Sequence, residues 1–408
     1  MLDSLQRYID KSIVYPPLIE KQAKGELELI LVIPSYNEAG LASCLDQCLS
    51  VIPLDGSVEI IVVLNHSQNA NAEVKELHRE QSLKLGHHLD KDVLHIIGPL
   101  ELRPKDAGVG MARKIGMDEA VRRFQSISKR RGIICCYDAD CRMSPYFISA
   151  VKNYFQSEKS KQAISLGFHH RWEELRDPLQ RRGILEYEFH LFLYLAHQKV
   201  NDYPFAFHTI GSSMAVRADA YCEQGGMNRR QAGEDFYFLH KFSAVFELDE
   251  INEDLVFPSP RVSDRVPFGT GRAVGEFLME GNRTTLSYNP ASIRLFSEAF
   301  HFIHKIEDMG VKHYAKSCGV LMSLFLDQYG FDEYYDQAVK NSSNSKVLHT
   351  KLRRFFNPFC LMKFLHFAEE HDYPKIRLME SYEQLDKSKL RSVYWVKRLE
   401  FLANSCLS

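Results

Sequence analysis

The feature that most constrains this chain is an alternation that runs through its first third. Short, β-branched apolar runs occur at Leu27–Ile33, Val58–Leu64, Val93–Ile97, Gly132–Tyr137 and Ala163–Phe168, each bounded by Pro, Gly, Asn or Asp. Runs that are apolar at nearly every position suit strands covered on both faces. Between them lie amphipathic stretches near Leu41–Val51, Ala72–Leu85, Gly110–Phe124 and Tyr146–Phe155, with Ser144 and Pro145 placed to cap and open the last. Strand followed by helix, repeated, predicts an α/β fold: a Rossmann-type, mostly parallel sheet joined by right-handed crossovers. Ligands of such sheets bind beyond the carboxyl ends of the strands, so the residues after each strand carry the functional argument.

Farther along, the pattern changes. Gly183–Val200 reads as a long helix, Phe207–Val216 as a strand, Gly225 and Gly226 as a turn, and Phe236–Phe246 as another helix. A loop rich in Pro, Arg and Gly follows, and from about Ile293 Phe, Leu and Tyr recur at helical spacing. The expected units are an N-terminal helical segment (1–25), an α/β half (26–165), a mixed half (166–290) and a helical C-terminal extension (291–408).

Composition narrows the function. Fifty-one Lys and Arg against 53 Asp and Glu leave a net charge of -2, so no global excess draws the chain to nucleic acid. With 45% hydrophobic and 25% charged residues, intrinsic disorder is excluded. The longest apolar-looking stretch, Ile184–Val200, contains Glu186, Glu188, His190 and His197 and is too polar to span hydrocarbon. The first twenty residues lack an apolar leader, and the expectation is a soluble, cytoplasmic protein. Nine cysteines, an odd number without a C-x-x-C pair, are expected to be reduced core thiols.

Three segments hold chemistry-bearing residues. After the first strand come Pro34, Ser35, Tyr36, Asn37 and Glu38, where a dinucleotide site would need a glycine fingerprint. The one other candidate fingerprint, Gly108 and Gly110, has Arg113 where the third glycine belongs, so hydride chemistry is a poor fit. After the fourth strand, Asp138 and Asp140 form a hard-oxygen pair suited to Mg²⁺ or Mn²⁺. Asp90 and Asp92 repeat that spelling, but in a polar loop ahead of a strand, where a solvated turn is the natural reading. Glu234 and Asp235 open a helix, where acidic residues are ordinarily favourable N-terminal charge and where a metal–nucleotide site could use a general base.

Taken in order over roughly residues 27–250, these segments resemble family 2 glycosyltransferases of the GT-A fold. The resemblance implies transfer of a sugar from a UDP- or GDP-sugar, with inversion, to a saccharide, lipid-linked or small-molecule hydroxyl acceptor, and a divalent cation (Mn²⁺ or Mg²⁺) as cofactor. It implies that Pro34, Tyr36 and Glu38 line the base and ribose pocket, that Arg113 approaches the nucleotide, and that Asp138 and Asp140 serve the metal and ribose. Asp235 would be the base, with Glu234 positioning it or the acceptor. Asn65 stands where the family commonly has an acidic residue reading the nucleotide, and Lys241 is the nearest cation after the acidic pair. The chain's Arg171-Trp172 precedes that pair, unlike the motif of processive polymer synthases, which disfavours processive synthesis. Arg261 and Arg265, in the loop Arg261–Arg272, are candidates to close on the diphosphate, against the plainer reading of a solvated linker. His208 and Asp264 are candidates for a third metal ligand, although a histidine beside a strand is more often structural. The basic–aromatic stretch Arg171–Arg182 allows peripheral membrane contact, and the C-terminal helices allow an acceptor wall, a homo-oligomer interface or a partner surface. The alternatives are a sugar-1-phosphate nucleotidyltransferase and a non-catalytic nucleotide-sugar-binding protein.

Overall fold

A computed structural model describes residues 4–53, 55–88, 92–231, 233–245, 247–262, 269–279 and 285–407. Arg265, Asp264 and Asp90, named above, lie outside the described residues, as does half of the proposed closing loop (263–268). The chain forms two compact units, each built from separate stretches of sequence: 1–174 with 207–272, and 175–206 with 273–408.

The first unit is built on one eight-stranded sheet. Its strands are β1 (Leu29–Ser35), β2 (Val58–Ser67), β3 (Leu94–Leu102), β4 (Ile133–Cys136), β5 (Arg142–Met143), β6 (Ala163–Phe168), β7 (Met214–Arg217) and β8 (Leu248–Phe257). They are ordered β3-β2-β1-β4-β7-β6-β8-β5. Four of the seven pairings are parallel: β1 with β2 and β4, β2 with β3, and β6 with β8. The other three, around β7 and at β5, are antiparallel. Every residue of β1, β4 and β6 is buried, as uninterrupted apolar runs require of strands covered on both faces.

Helix Val109–Ser126 covers one face. Gly116 sets its distance from the sheet, because a Cβ there would fall 2.5 Å from a Val32 side-chain carbon. Ile115, Val121 and Phe124 on this helix join Val32, Val63 and Ile134 of the sheet in one buried cluster. The N-terminal helix, Ser4–Ser12, is fastened to it where the Tyr8 hydroxyl donates to Asp118 (2.9 Å).

Several local expectations differ from the structure, among them the strand expected over Phe207–Val216, which is confined to Met214–Arg217. Helix Phe147–Ser157 starts after the Ser144–Pro145 step, and the Ser144 hydroxyl accepts the Tyr146 amide (3.2 Å) in the preceding turn instead of capping the helix. Strand β8 has no counterpart among the expected strands. Its sequence carries Asp249, Glu250, Glu253 and Asp254, residue types that strands disfavour, and parallel pairing to β6 overrides that preference.

Among the described residues, the second unit is helical apart from one two-stranded pairing of 286–287 with 376–377. It includes helix Pro178–Val200, which the sequence pattern places in the mixed half, and the helices from Pro290 onward. Its core is aromatic: Tyr203, Phe296, Phe300, Phe325, Phe356 and Phe364 pack together. Helix Pro178–Val200 is tied to helix Val393–Leu407 by a buried ion pair between Glu188 and Arg398.

Candidate active site

The strand order reverses between β1 and β4, the place where an open α/β sheet leaves a crevice at its carboxyl edge. Both turns singled out in the sequence leave the sheet there. Tyr36, Asn37 and Glu38 follow β1, and Asp138 and Asp140 follow β4.

Arg261 joins the two turns. Its guanidinium donates to both carboxylate oxygens of Glu38, one at 3.0 Å, and to Asp140 Oδ2 at 2.8 Å. Glu38 is buried, and its Oε1 also accepts the Gly40 amide (3.1 Å). Burial, and then the neighbouring Asp138 charge, push the Asp140 carboxyl up to about 6, with Arg261 opposing. Three carboxylates crowd this crevice, so it has a deficit of positive charge that cations are suited to meet.

A second arginine organises the other side. Arg113, from helix Val109–Ser126, donates to Asp138 (2.6 Å) and to Glu234. It is 3% exposed, so it serves as an internal bridge between carboxylates. Its pKa is raised well above the ordinary arginine value: burial lowers it, but the Asp138, Glu234 and Asp235 charges outweigh that. Glu234 is fully enclosed (1% exposed) and held above the ordinary range by burial, with Arg113 opposing. Asp235 is partly exposed, and burial likewise raises its carboxyl. The Phe236 amide donates to Asp235 Oδ1 (2.8 Å), and the Gly211 amide also holds this carboxylate.

Glycines make this convergence sterically feasible. A Cβ on Gly110 would sit 2.2 Å from the Arg230 carbonyl oxygen, and one on Gly211 would sit 2.2 Å from the Arg113 guanidinium. The segment that delivers Glu234 and Asp235 therefore lies directly against the start of helix Val109–Ser126. Gly211 is absent from the sequence-derived candidates; its only signal is a lone glycine inside an apolar strand-like run.

The remaining candidates are more scattered. Pro34 is buried within β1, and Tyr36 is 41% exposed at its end. Asn65, buried in β2, donates to the Gly108 carbonyl (3.2 Å) and so links two of the expected nucleotide turns. Lys241 donates to the carbonyls of Gln224 (3.1 Å) and Gly226 (2.8 Å). His208 stands edge-on to Phe168 (4.9 Å), and its carbonyl accepts the Ser165 hydroxyl (2.8 Å). Among the described residues, no three His, Cys, Asp or Glu side chains converge as a metal-holding group. The carboxylates of Asp138 and Asp140, near Glu38, are hard-oxygen donors of the type that divalent ions prefer.

Sequence reasoning also misses a support beneath the β1 turn. The Asn37 amide donates to His78 Nε2 (3.2 Å), and His78 Nδ1 lies 3.0 Å from His66 Nδ1. An accepting Nε2 leaves the proton of neutral His78 on Nδ1, which then donates to His66. Asn37, at φ +48, is thus held by a fully buried imidazole.

The switch-point crevice is lined by carboxylates and arginines and has no glycine fingerprint. Residues 30–223 match the model of glycosyl transferase family 2. No curated protein matches the sequence. Among solved structures, TarS 1-349 of S. aureus in complex with UDP-GlcNAc is similar at 11% identity and TM-score 0.41, over 89% of this chain and 91% of that one. The mannosyltransferase PcManGT from Pyrobaculum calidifontis, in complex with GDP-Man and Mn²⁺, is similar at 14% identity and TM-score 0.38, over 99% and 91%. Glucosyl-3-phosphoglycerate synthase from Mycobacterium tuberculosis, in complex with Mn²⁺ and UDP, gives 15% and 0.39, over 65% and 85%. No helix of the described residues is long and apolar enough to cross a membrane.

Proposed function

We propose that this glycosyltransferase is metal-dependent and inverting, and moves a sugar from a UDP- or GDP-sugar to a hydroxyl acceptor. The observation that carries the reading is the convergence, at the β1/β4 switch point, of Asp138 and Asp140 with two arginines and with the Glu234–Asp235 pair. Tyr36 and Glu38 border the nucleoside end, and Asn65 steadies the Gly108 turn beside it. Asp138 and Asp140 would hold the divalent ion, which when bound neutralises charge on the departing diphosphate.

Asp235 is the general base. Its carboxylate takes the acceptor hydroxyl proton while that oxygen bonds to the anomeric carbon from the face opposite the leaving group. The bond from that carbon to the diphosphate oxygen breaks, and the electron pair leaves with the nucleoside diphosphate. A carboxyl raised by burial is better matched to this task than a solvated one. Arg113 and Glu234 position the machinery: the arginine fixes Asp138, and its contact with Glu234 fixes the start of the helix that bears Asp235. Arg261 belongs to the donor side and exchanges its Glu38 and Asp140 contacts for the diphosphate as donor and cation enter.

A panel of nucleotide sugars, with and without Mn²⁺, tests the assignment by thermal shift and by donor consumption. Asp140→Asn is expected to abolish metal-dependent donor binding. Asp235→Asn is expected to retain it while transfer falls ~10²–10⁴-fold. If no nucleotide sugar binds or turns over, the function is wrong; if Asp235→Asn keeps full activity, the base is wrong.

A further inference from the structure

We propose that a second anion site, suited to a phosphate-class dianion, lies at the opposite edge of the sheet from the candidate active site. A cavity of about 150 Å³ opens there, lined by Lys129, Arg131, Lys152 and Arg217, with Glu28 as its one carboxylate. Glu28 immediately precedes β1, and Ile133, also in the lining, opens β4. The active-site turns leave the other ends of these strands. Seven residues of β1 at ~3.3 Å each put the two places ~20 Å apart.

The charges of this cavity do not balance from within. Glu28 is engaged by Lys152 (2.5 Å), with Lys129 at 3.9 Å, and Arg131 has Asp219 at 3.8 Å. Arg217 is the residue left over. It is 7% exposed, its two terminal nitrogens donate to the carbonyls of Arg131 (3.1 Å) and Phe155, and its guanidinium lies 4.6 Å from the centre of the Phe155 ring. Its Nε is buried without an acceptor among the described residues. Burial, followed by the Arg131 charge, lowers Arg217 to about 10, with Asp219 only partly offsetting. A buried guanidinium that lines a cavity together with three more cations is stabilised by an oxyanion there.

The volume sets the class of ligand. It falls below the ~300–1,000 Å³ of pockets that take drug-sized molecules and matches a phosphate-sized group better than a whole nucleotide. Phosphate offers several acceptor oxygens in different directions, matching amino and guanidinium donors drawn from the loop before β4, helix Phe147–Ser157 and the end of β7. The site takes free phosphate or pyrophosphate from solution.

Calorimetric titration of inorganic phosphate and pyrophosphate, in EDTA and without nucleotide sugar, tests the site independently of any transferase activity. Three proteins are compared: the wild type, the double variant Lys129→Gln with Arg131→Gln, and Arg261→Gln at the other edge. Lys129 and Arg131 have 38% and 44% of their side chains exposed, so the fold should tolerate their loss. The expected result is equal affinity in the wild type and Arg261→Gln, with at least about tenfold weaker binding in the double variant, equivalent to ~1.4 kcal/mol. A separate Lys152→Gln variant should weaken binding in the same direction. Absence of binding to the wild type, unchanged binding in the double variant, or loss confined to Arg261→Gln would each overturn the proposal. So would retention by phosphatidic acid vesicles with no response to free phosphate, which would mark a lipid-headgroup surface instead.

Discussion

Arg113 and His78 show how much of this site rests on single buried side chains. Arg113 uses separate guanidinium nitrogens for Asp138 and Glu234, a fork that a lysine ammonium cannot reproduce across both carboxylates. Arg113→Lys is therefore expected to leave a buried carboxylate underpaired, lowering stability by ~3–5 kcal/mol. Denaturant titration would measure this, and an unchanged midpoint would mean that the bridge between the two carboxylates does not stabilise the fold. His78 leads to a prediction about pH. Burial, and then the charge of His66, depress it from 6.5 to about 4. Because the folded value lies below the unfolded one, the unfolded chain takes up the proton first. Stability from neutral His78 is fully present above about 6.5 and drains away as pH falls towards about 4, by ~3 kcal/mol in all. Protonation also removes the lone pair that accepts the Asn37 amide. Glu101 and Lys75, paired at 2.9 Å, are the charged groups that act on His66. His190, His197 and His240 are depressed too and slope the same way, so the diagnostic is a shallower dependence in His78→Gln than in the wild type. Parallel curves would reject the assignment.

At the scale of elements, the strands buried on both faces were legible because their composition follows directly from burial. β1, β2, β4 and β6 fall where apolar runs predict them, and Asp138 and Asp140 were separable from Asp90 and Asp92 by position alone. The structure also unites Glu38, Asp140 and Arg261, which are 223 and 121 residues apart for the two pairings to Arg261; no local pattern encodes such a meeting. β8 was hidden because its carboxylates mask its pairing, and the His66–His78 support because a histidine inside an amphipathic helix carries no periodic mark. Close backbone approach is also silent in sequence but can be tested. Gly110→Ala must displace the Arg230 and Asn228 carbonyls, costing ~1–3 kcal/mol and disturbing the Glu234 segment, so transfer should fall along with stability. Gly25→Ala, with nothing within 4 Å of its new Cβ, should be near neutral in the same denaturation experiment.

For the whole molecule, sequence patterning suggests four consecutive segments, and the chain clusters into two compact units, each assembled from separate stretches. Helical spacing identifies helix Pro178–Val200, but membership in a core is decided by long-range packing. Its Glu188 is fully buried against Arg398, so Arg398→Met should destabilise the helical unit by ~3–5 kcal/mol by removing one member of a buried ion pair. A double change that also replaces Glu188 with Leu should recover most of that loss, and a failure to recover would assign the cost to packing. The place of β7 has a consequence for how this protein is made. β7 lies between β4 and β6 in the sheet, yet follows both in the chain, after the excursion through 175–206. During synthesis, β4 and β6 therefore emerge with facing edges unpaired, and the two halves of the sheet cannot zip until residues 214–217 leave the ribosome. Sheet completion is thus a late, high-contact-order event, and a nascent chain stalled before β7 presents sticky edges that call for chaperone cover.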